Sequence, residues 1–131
     1  PALYPQDILQ RARVRALCQL IACDIHPLNN LRVLSYLRDQ LGQDKDAVQR
    51  WYAHWISEGF AALEAHLADG FFVNGDAPGM AEAYLIPQVY NAERFSVPLD
   101  DFPHIRSLHA RCEELPAFRR AHPDAQPDAP R

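Results

Sequence analysis

The chain has 131 residues, 48% hydrophobic and 23% charged, with a net charge of −4. That is an ordinary composition for one globular domain with its own core. The mild acidity argues against a nucleic-acid partner, no apolar run reaches the ~18 residues of a membrane span, and no signal-peptide pattern opens the sequence.

Residues 1–6 read as an extended lead-in, because Pro1 and Pro5 disfavour helix before them. Asp7 is a good N-cap for a first helix over 7–42. Leu9, Ala12, Ala16, Leu20 and Cys23 recur at helical spacing, widened by Leu17, Ile21 and Ile25. Pro27 bends or breaks this helix. The pattern resumes through Leu28, Leu31, Leu34, Leu37 and Leu41 to Gly42, a natural C′ residue.

A second long helix, 44–69, begins at Asp44 and lines up Val48, Trp51, Trp55, Gly59, Leu63 and Leu67 on one face. Gly59 inside it predicts a close helix–helix approach. Gly70 ends it, Phe71-Phe72-Val73 forms a hydrophobic plug, and Asn74-Gly75-Asp76 turns the chain. The next helix, 79–94, is apolar on nearly all sides, as expected of a buried central helix. Pro87 predicts a bend in it, and its polar end delivers Arg94 to a boundary. There Arg94 either pairs with a carboxylate such as Glu93 or faces a pocket.

Short helices follow over 104–121. The proline-rich residues 122–131 read as an extended tail. The expected fold is all-α, a bundle of about five or six helices around the kinked buried one. Cys18, Cys23 and Cys112, an odd number in helical patterns, read as reduced core thiols of a cytoplasmic protein. Cys23 and His26 stand three apart, but no second pair with ligand spacing follows, so no metal site is expected. Phosphate loops, nucleophile elbows and paired catalytic carboxylates are missing from the sequence.

Three segments together resemble the zeta class of glutathione transferases: I-H-P-L-N-N-L at 25–31, L-I-P-Q-V-Y-N-A-E-R-F at 85–95 and H-P-D-A-Q-P-D at 122–128. The resemblance is to the C-terminal helical domain of that class, over nearly the whole chain. It implies glutathione-dependent cis–trans isomerisation of a small dicarboxylate such as maleylacetoacetate or maleylpyruvate. Thiolate adds to the conjugated alkene, the resulting single bond rotates, and thiolate leaves. Arg94 matches the family arginine that holds a substrate carboxylate. His26 matches a position that reaches glutathione, and Asn29 and Asn30 beside it are implied to add contacts to the same peptide.

The family's thioredoxin-like domain, with its thiol-activating Ser/Cys motif, is expected upstream of the linker-like P-A-L-Y-P-Q-D. The resemblance therefore implies no catalytic residue within these 131 residues, inactivity of the chain alone, and a homodimer for the complete protein. A non-catalytic docking module is the alternative reading. One departure stands out: the superfamily usually opens the buried helix with a Ser/Thr cap and an Asp three residues on, whereas this chain has Gly79 and Glu82. The expected consequence is a weaker helix start.

Overall fold

The computed structural model describes residues 2–67 and 72–129. Asp7 caps α1 (Ile8–Gln19), its Oδ1 accepting the Gln10 N–H at 2.8 Å. The helix then widens into a π turn, Leu20–Ile25, in which the His26 N–H reaches back to the Ile21 carbonyl. This widening makes room for Pro27, whose ring would otherwise meet the carbonyl four residues back. A single turn, α2 (His26–Leu28), follows, and the chain breaks at Asn29.

Asn30 starts a new helix, α3 (Leu31–Asp39), by accepting the Arg32 N–H at 3.1 Å. The expected single kinked helix over 7–42 is thus several pieces. The break falls beyond Pro27 because an asparagine cap, rather than the proline, restarts the ladder.

The long helix α4 (Lys45–Glu64) is capped by Asp44, which accepts the Ala47 N–H at 2.7 Å. It ends earlier than the expected residue 69, and Gly70 and Phe71 lie outside the described residues. Phe72 is buried and forms an isolated antiparallel bridge with Gly75 across the turn. The central helix α5 (Met80–Arg94) runs through Pro87. Ala83 and Pro87 are both exposed, so the carbonyl that loses its N–H partner lies on the solvent side. α6 (Pro103–Glu113) and α7 (Pro116–Ala121) close the bundle. The tail is not simply extended: it makes a 3₁₀ turn over Pro123–Ala125, and His122 sets its ring edge-on to Tyr90 of α5.

The main core gathers Leu17, Ile21 and Ile25, Ile56, Phe60 and Leu63 of α4, Leu85 and Val89 of α5, and Ile105 and Leu108 of α6. The faces differ in phase from the periodicity reading. On α1 the buried residues are Val14, Leu17 and Cys18, while Leu9 is 78% exposed. On α4 they are Tyr52, Ile56, Phe60 and Leu63, with both tryptophans only partly covered. Alanines fit either side of a helix, and the π turn rotates everything after it, so the spacing alone did not fix the phase. The central helix is also not enclosed: Ala83, Tyr84 and Pro87 form an open side.

Gly59 is where α4 meets the π turn. A Cβ there would overlap Cγ1 and Cδ1 of Ile25, a side chain only 1% exposed. Alanine gains ~1 kcal/mol in helix propensity over glycine, yet overpacking a close contact costs about 1–3 kcal/mol. Gly59→Ala is therefore expected to lower the urea midpoint, and adding Ile25→Val, which removes the Cδ1, is expected to restore part of it.

All three cysteines are free, but only Cys18 and Cys112 are core residues; Cys23 is exposed on the π turn. Burial pushes the Cys112 thiol from its ordinary 9.0 up to about 12, with the Glu82 carboxylate adding to the rise and Arg111 opposing it. Cys18 is raised by burial and by Glu82 as well. A thiol that stays protonated in the fold but ionises when unfolded binds more protons in the native state, so stability falls as pH rises. The full contribution is present below pH 9.0 and is lost progressively toward about 12. Thermal midpoints measured across that window should decline, and Cys112→Val should make the decline shallower.

Candidate functional site

The end of α5 is a left-handed stop. Ser96 has φ 53°, its N–H donates to the Glu93 carbonyl at 2.9 Å, and the Val97 N–H donates to the Ala92 carbonyl at 2.9 Å. This is the Schellman pattern, which normally uses glycine; a serine in that conformation costs on the order of 1 kcal/mol. The stop turns Phe95 back onto α4. Its ring stacks on Tyr52 with centroids 3.8 Å apart and planes 15° from parallel. The Gln49 side-chain amide donates to the Phe95 carbonyl.

Arg94 sits on this corner and is exposed. Its sequence neighbour Glu93 faces α6 instead, 3.7 Å from Nδ1 of His109. Among the described residues Arg94 has no ion-pair partner, so of the two sequence readings the pairing with Glu93 is not the one the structure adopts. Its charge is felt nearby: burial pushes the Tyr52 hydroxyl up, and the Arg94 guanidinium draws it partly back down.

The break after α2 adjoins the same stretch of α4. Asn29 is buried, and its Nδ2 donates to the Tyr52 carbonyl at 3.1 Å. The Trp51 indole N–H donates to the Leu28 carbonyl at 2.9 Å, satisfying an acceptor that the helix end leaves open. Asn30 is engaged as the cap of α3. His26 is exposed and makes no side-chain hydrogen bond to the described residues.

One physical chain therefore links the two segments that sequence singled out: Asn29 holds the Tyr52 backbone, and the Tyr52 ring holds Phe95 beside Arg94. The spacing of apolar residues did not reveal Gln49 or Tyr52. Both lie one position off the face assigned to α4, and only the stop at Ser96 brings Phe95 onto them.

Two clefts are found elsewhere. One, of about 400 Å³, lies among Pro5, Arg13, His66 and the Phe72–Gly75 turn. The other, of about 620 Å³, lies between the end of α5 and α6 and includes Glu93, Arg106 and His109. Neither is lined by His26 or Arg94. Both of these side chains are exposed. No metal-binding cluster of His, Cys, Asp and Glu is present among the described residues.

Comparison with known proteins gives this surface a context. The family profile "Glutathione S-transferase, C-terminal domain" matches residues 45–123. A maleylpyruvate isomerase of Ralstonia sp is 52% identical over 133 residues, covering 98% of this chain and 63% of that relative. A holo structure described as maleylpyruvate isomerase, a bacterial glutathione S-transferase of the zeta class, superposes with a TM-score of 0.96 at 51% identity, covering 99% of this chain and 63% of that one. A maleylacetoacetate isomerase from Anaeromyxobacter dehalogenans, solved with dicarboxyethyl glutathione and citrate in its active site, superposes with a TM-score of 0.92 at 42% identity, covering 99% of this chain and 59% of that one. The chain spans about three fifths of the length of these relatives. With that profile match and a bundle that superposes on zeta-class structures over nearly its whole length, the chain belongs to the glutathione S-transferase family as a C-terminal helical domain of the zeta-class kind.

Proposed function

We propose that this chain is the dicarboxylate-binding side of a glutathione-dependent cis–trans isomerase acting on maleylpyruvate or maleylacetoacetate. The observation that carries the reading is the state of Arg94: exposed and without an ion-pair partner among the described residues, on a corner braced by α4. A guanidinium in that state offers a permanently charged fork to a carboxylate. The relatives named above act on, or are solved with, molecules of that class.

Glutathione supplies the thiolate that adds to the conjugated alkene and later leaves. The fit of this chain to glutathione rests on the break after α2. The exposed His26 ring has no partner there among the described side chains. A bound peptide satisfies such a group. Asn30, engaged through Oδ1 as a helix cap, contributes chiefly by fixing the corner that presents His26.

In this reading a thioredoxin-like N-terminal domain supplies thiol activation. It covers the open side of α5 at Ala83, Tyr84 and Pro87, and the complete protein is a homodimer. No helix among the described residues is long and apolar enough to cross a membrane. Glutathione chemistry and unpaired cysteines support a cytoplasmic protein in this reading.

The test is a steady-state assay of the complete protein with maleylpyruvate and maleylacetoacetate, with and without glutathione. Isomerisation that requires glutathione is the expected result. Absence of turnover with either substrate contradicts the reading and leaves a docking module in its place.

A further inference from the structure

We propose that Gln49 and Tyr52 are positioning residues for Arg94, fixing the last turn of α5 so that the guanidinium is presented to a substrate carboxylate in one orientation. This inference rests on the reading of Arg94 given above. The residues on either side of Arg94 each face a different helix. Glu93 reaches His109 of α6 at 3.7 Å. Phe95 is held twice by α4, through its carbonyl by the Gln49 amide and through its ring by Tyr52 at 3.8 Å. Gln49 and Tyr52 are three residues apart and therefore neighbours on one helix face.

The backbone immediately after is in the left-handed conformation at Ser96, φ 53°. A non-glycine residue persists there only when its surroundings hold it. Arg94 has no ion-pair partner in another element among the described residues. The Phe95 flank is thus held twice while the cation beside it is left available. That division suits a binding group, because orientation set before binding lowers the entropy lost when the ligand arrives. A helix end serving packing alone has no need of a free cation beside an anchored neighbour.

The test uses the complete protein at saturating glutathione, with maleylpyruvate as substrate and malonate as a non-reacting probe of carboxylate binding. Gln49→Met keeps the size of the side chain and removes the donor. It is expected to raise the KM for maleylpyruvate and the Kd for malonate by about tenfold, the worth of one hydrogen bond. The KM for glutathione should stay within about twofold of the parent, since the substitution acts on the carboxylate side only. Tyr52→Leu, which removes the stacked ring, is expected to act in the same direction. If Tyr52→Leu does not fold, Gln49→Met alone decides.

A diacid KM and malonate Kd that do not move in Gln49→Met, while Arg94→Ala raises both, overturn the positioning role and leave the function intact. If Arg94→Ala also leaves both unchanged, the reading of Arg94 fails, and this proposal with it.

Discussion

Replacing Glu82 with alanine is expected to destabilise the fold more than any other single truncation of a polar side chain described here. Glu82 is fully buried, and its two oxygens are both used. Oε1 accepts the Val73 N–H and Oε2 the Gly79 N–H, each at 2.7 Å. One carboxylate thus joins the turn after α4 to the N-cap of α5. Hydrogen bonds to a charged group contribute about 1.5–3 kcal/mol each. Losing both, with a buried and a half-buried N–H left unpaired, is expected to cost ~3–5 kcal/mol. Glu82→Gln keeps one good acceptor and should fall between the parent and the alanine variant. Urea unfolding monitored by circular dichroism measures the series, and a shift under about 1 kcal/mol for Glu82→Ala would contradict the account.

The same corner explains why the family's usual Ser/Thr cap is absent. The Leu3 carbonyl accepts the Met80 N–H at 2.9 Å and the Asn74 amide at 3.1 Å. A Cβ on Gly79 would overlap that amide and come 2.7 Å from the Leu3 oxygen. The lead-in has taken the place that a capping side chain would fill. The expectation of a weaker helix start therefore needs revision: Glu82 and Leu3 together supply the acceptors. Restoring the family residue by Gly79→Ser is expected to destabilise, since the Cβ has no room.

The second large effect is on function. Arg94→Ala in the complete protein is expected to lower kcat/KM for the dicarboxylate by about a hundredfold or more, with the KM for glutathione little changed. Truncating one partner of a desolvated charge pair costs about 2–5 kcal/mol, and each 1.36 kcal/mol is about tenfold in rate. Arg94→Lys keeps the charge but not the two-pronged geometry, so it should recover only part of the loss. Steady-state kinetics on the three proteins decide the matter, and an unaltered kcat/KM in Arg94→Ala would remove Arg94 from the site.

The sequence made some of this legible and hid the rest for identifiable reasons. Caps were readable because they use local chemistry: Asp7 and Asp44 begin helices where their side-chain oxygens reach an N–H three residues on. Gly59 was readable as a close approach because an internal glycine has a cost that packing must offset. The polar, exposed end of α5 at Arg94 was readable because an apolar run ends abruptly in charge. The phases of α1 and α4 were not, since alanines do not mark a face and the π turn at Leu20–Ile25 leaves no periodic signature. The division of labour among His26, Asn29 and Asn30 was equally hidden. All three are polar residues beside a break, and only the bonds to Tyr52 and Arg32 separate the two asparagines that build the corner from the histidine that projects from it. Gln49 and Tyr52 were invisible because their partner, Phe95, is 46 residues from Gln49 and reaches it only through the left-handed stop at Ser96.

In the proposed function Arg94 is the cation that receives the substrate carboxylate. A crystal structure of the complete protein with glutathione and malonate tests it most directly. A malonate carboxylate is expected within about 3 Å of the Arg94 guanidinium, in a two-pronged contact, with Phe95 still stacked on Tyr52. Malonate held by other residues, with Arg94 turned to solvent, would contradict it.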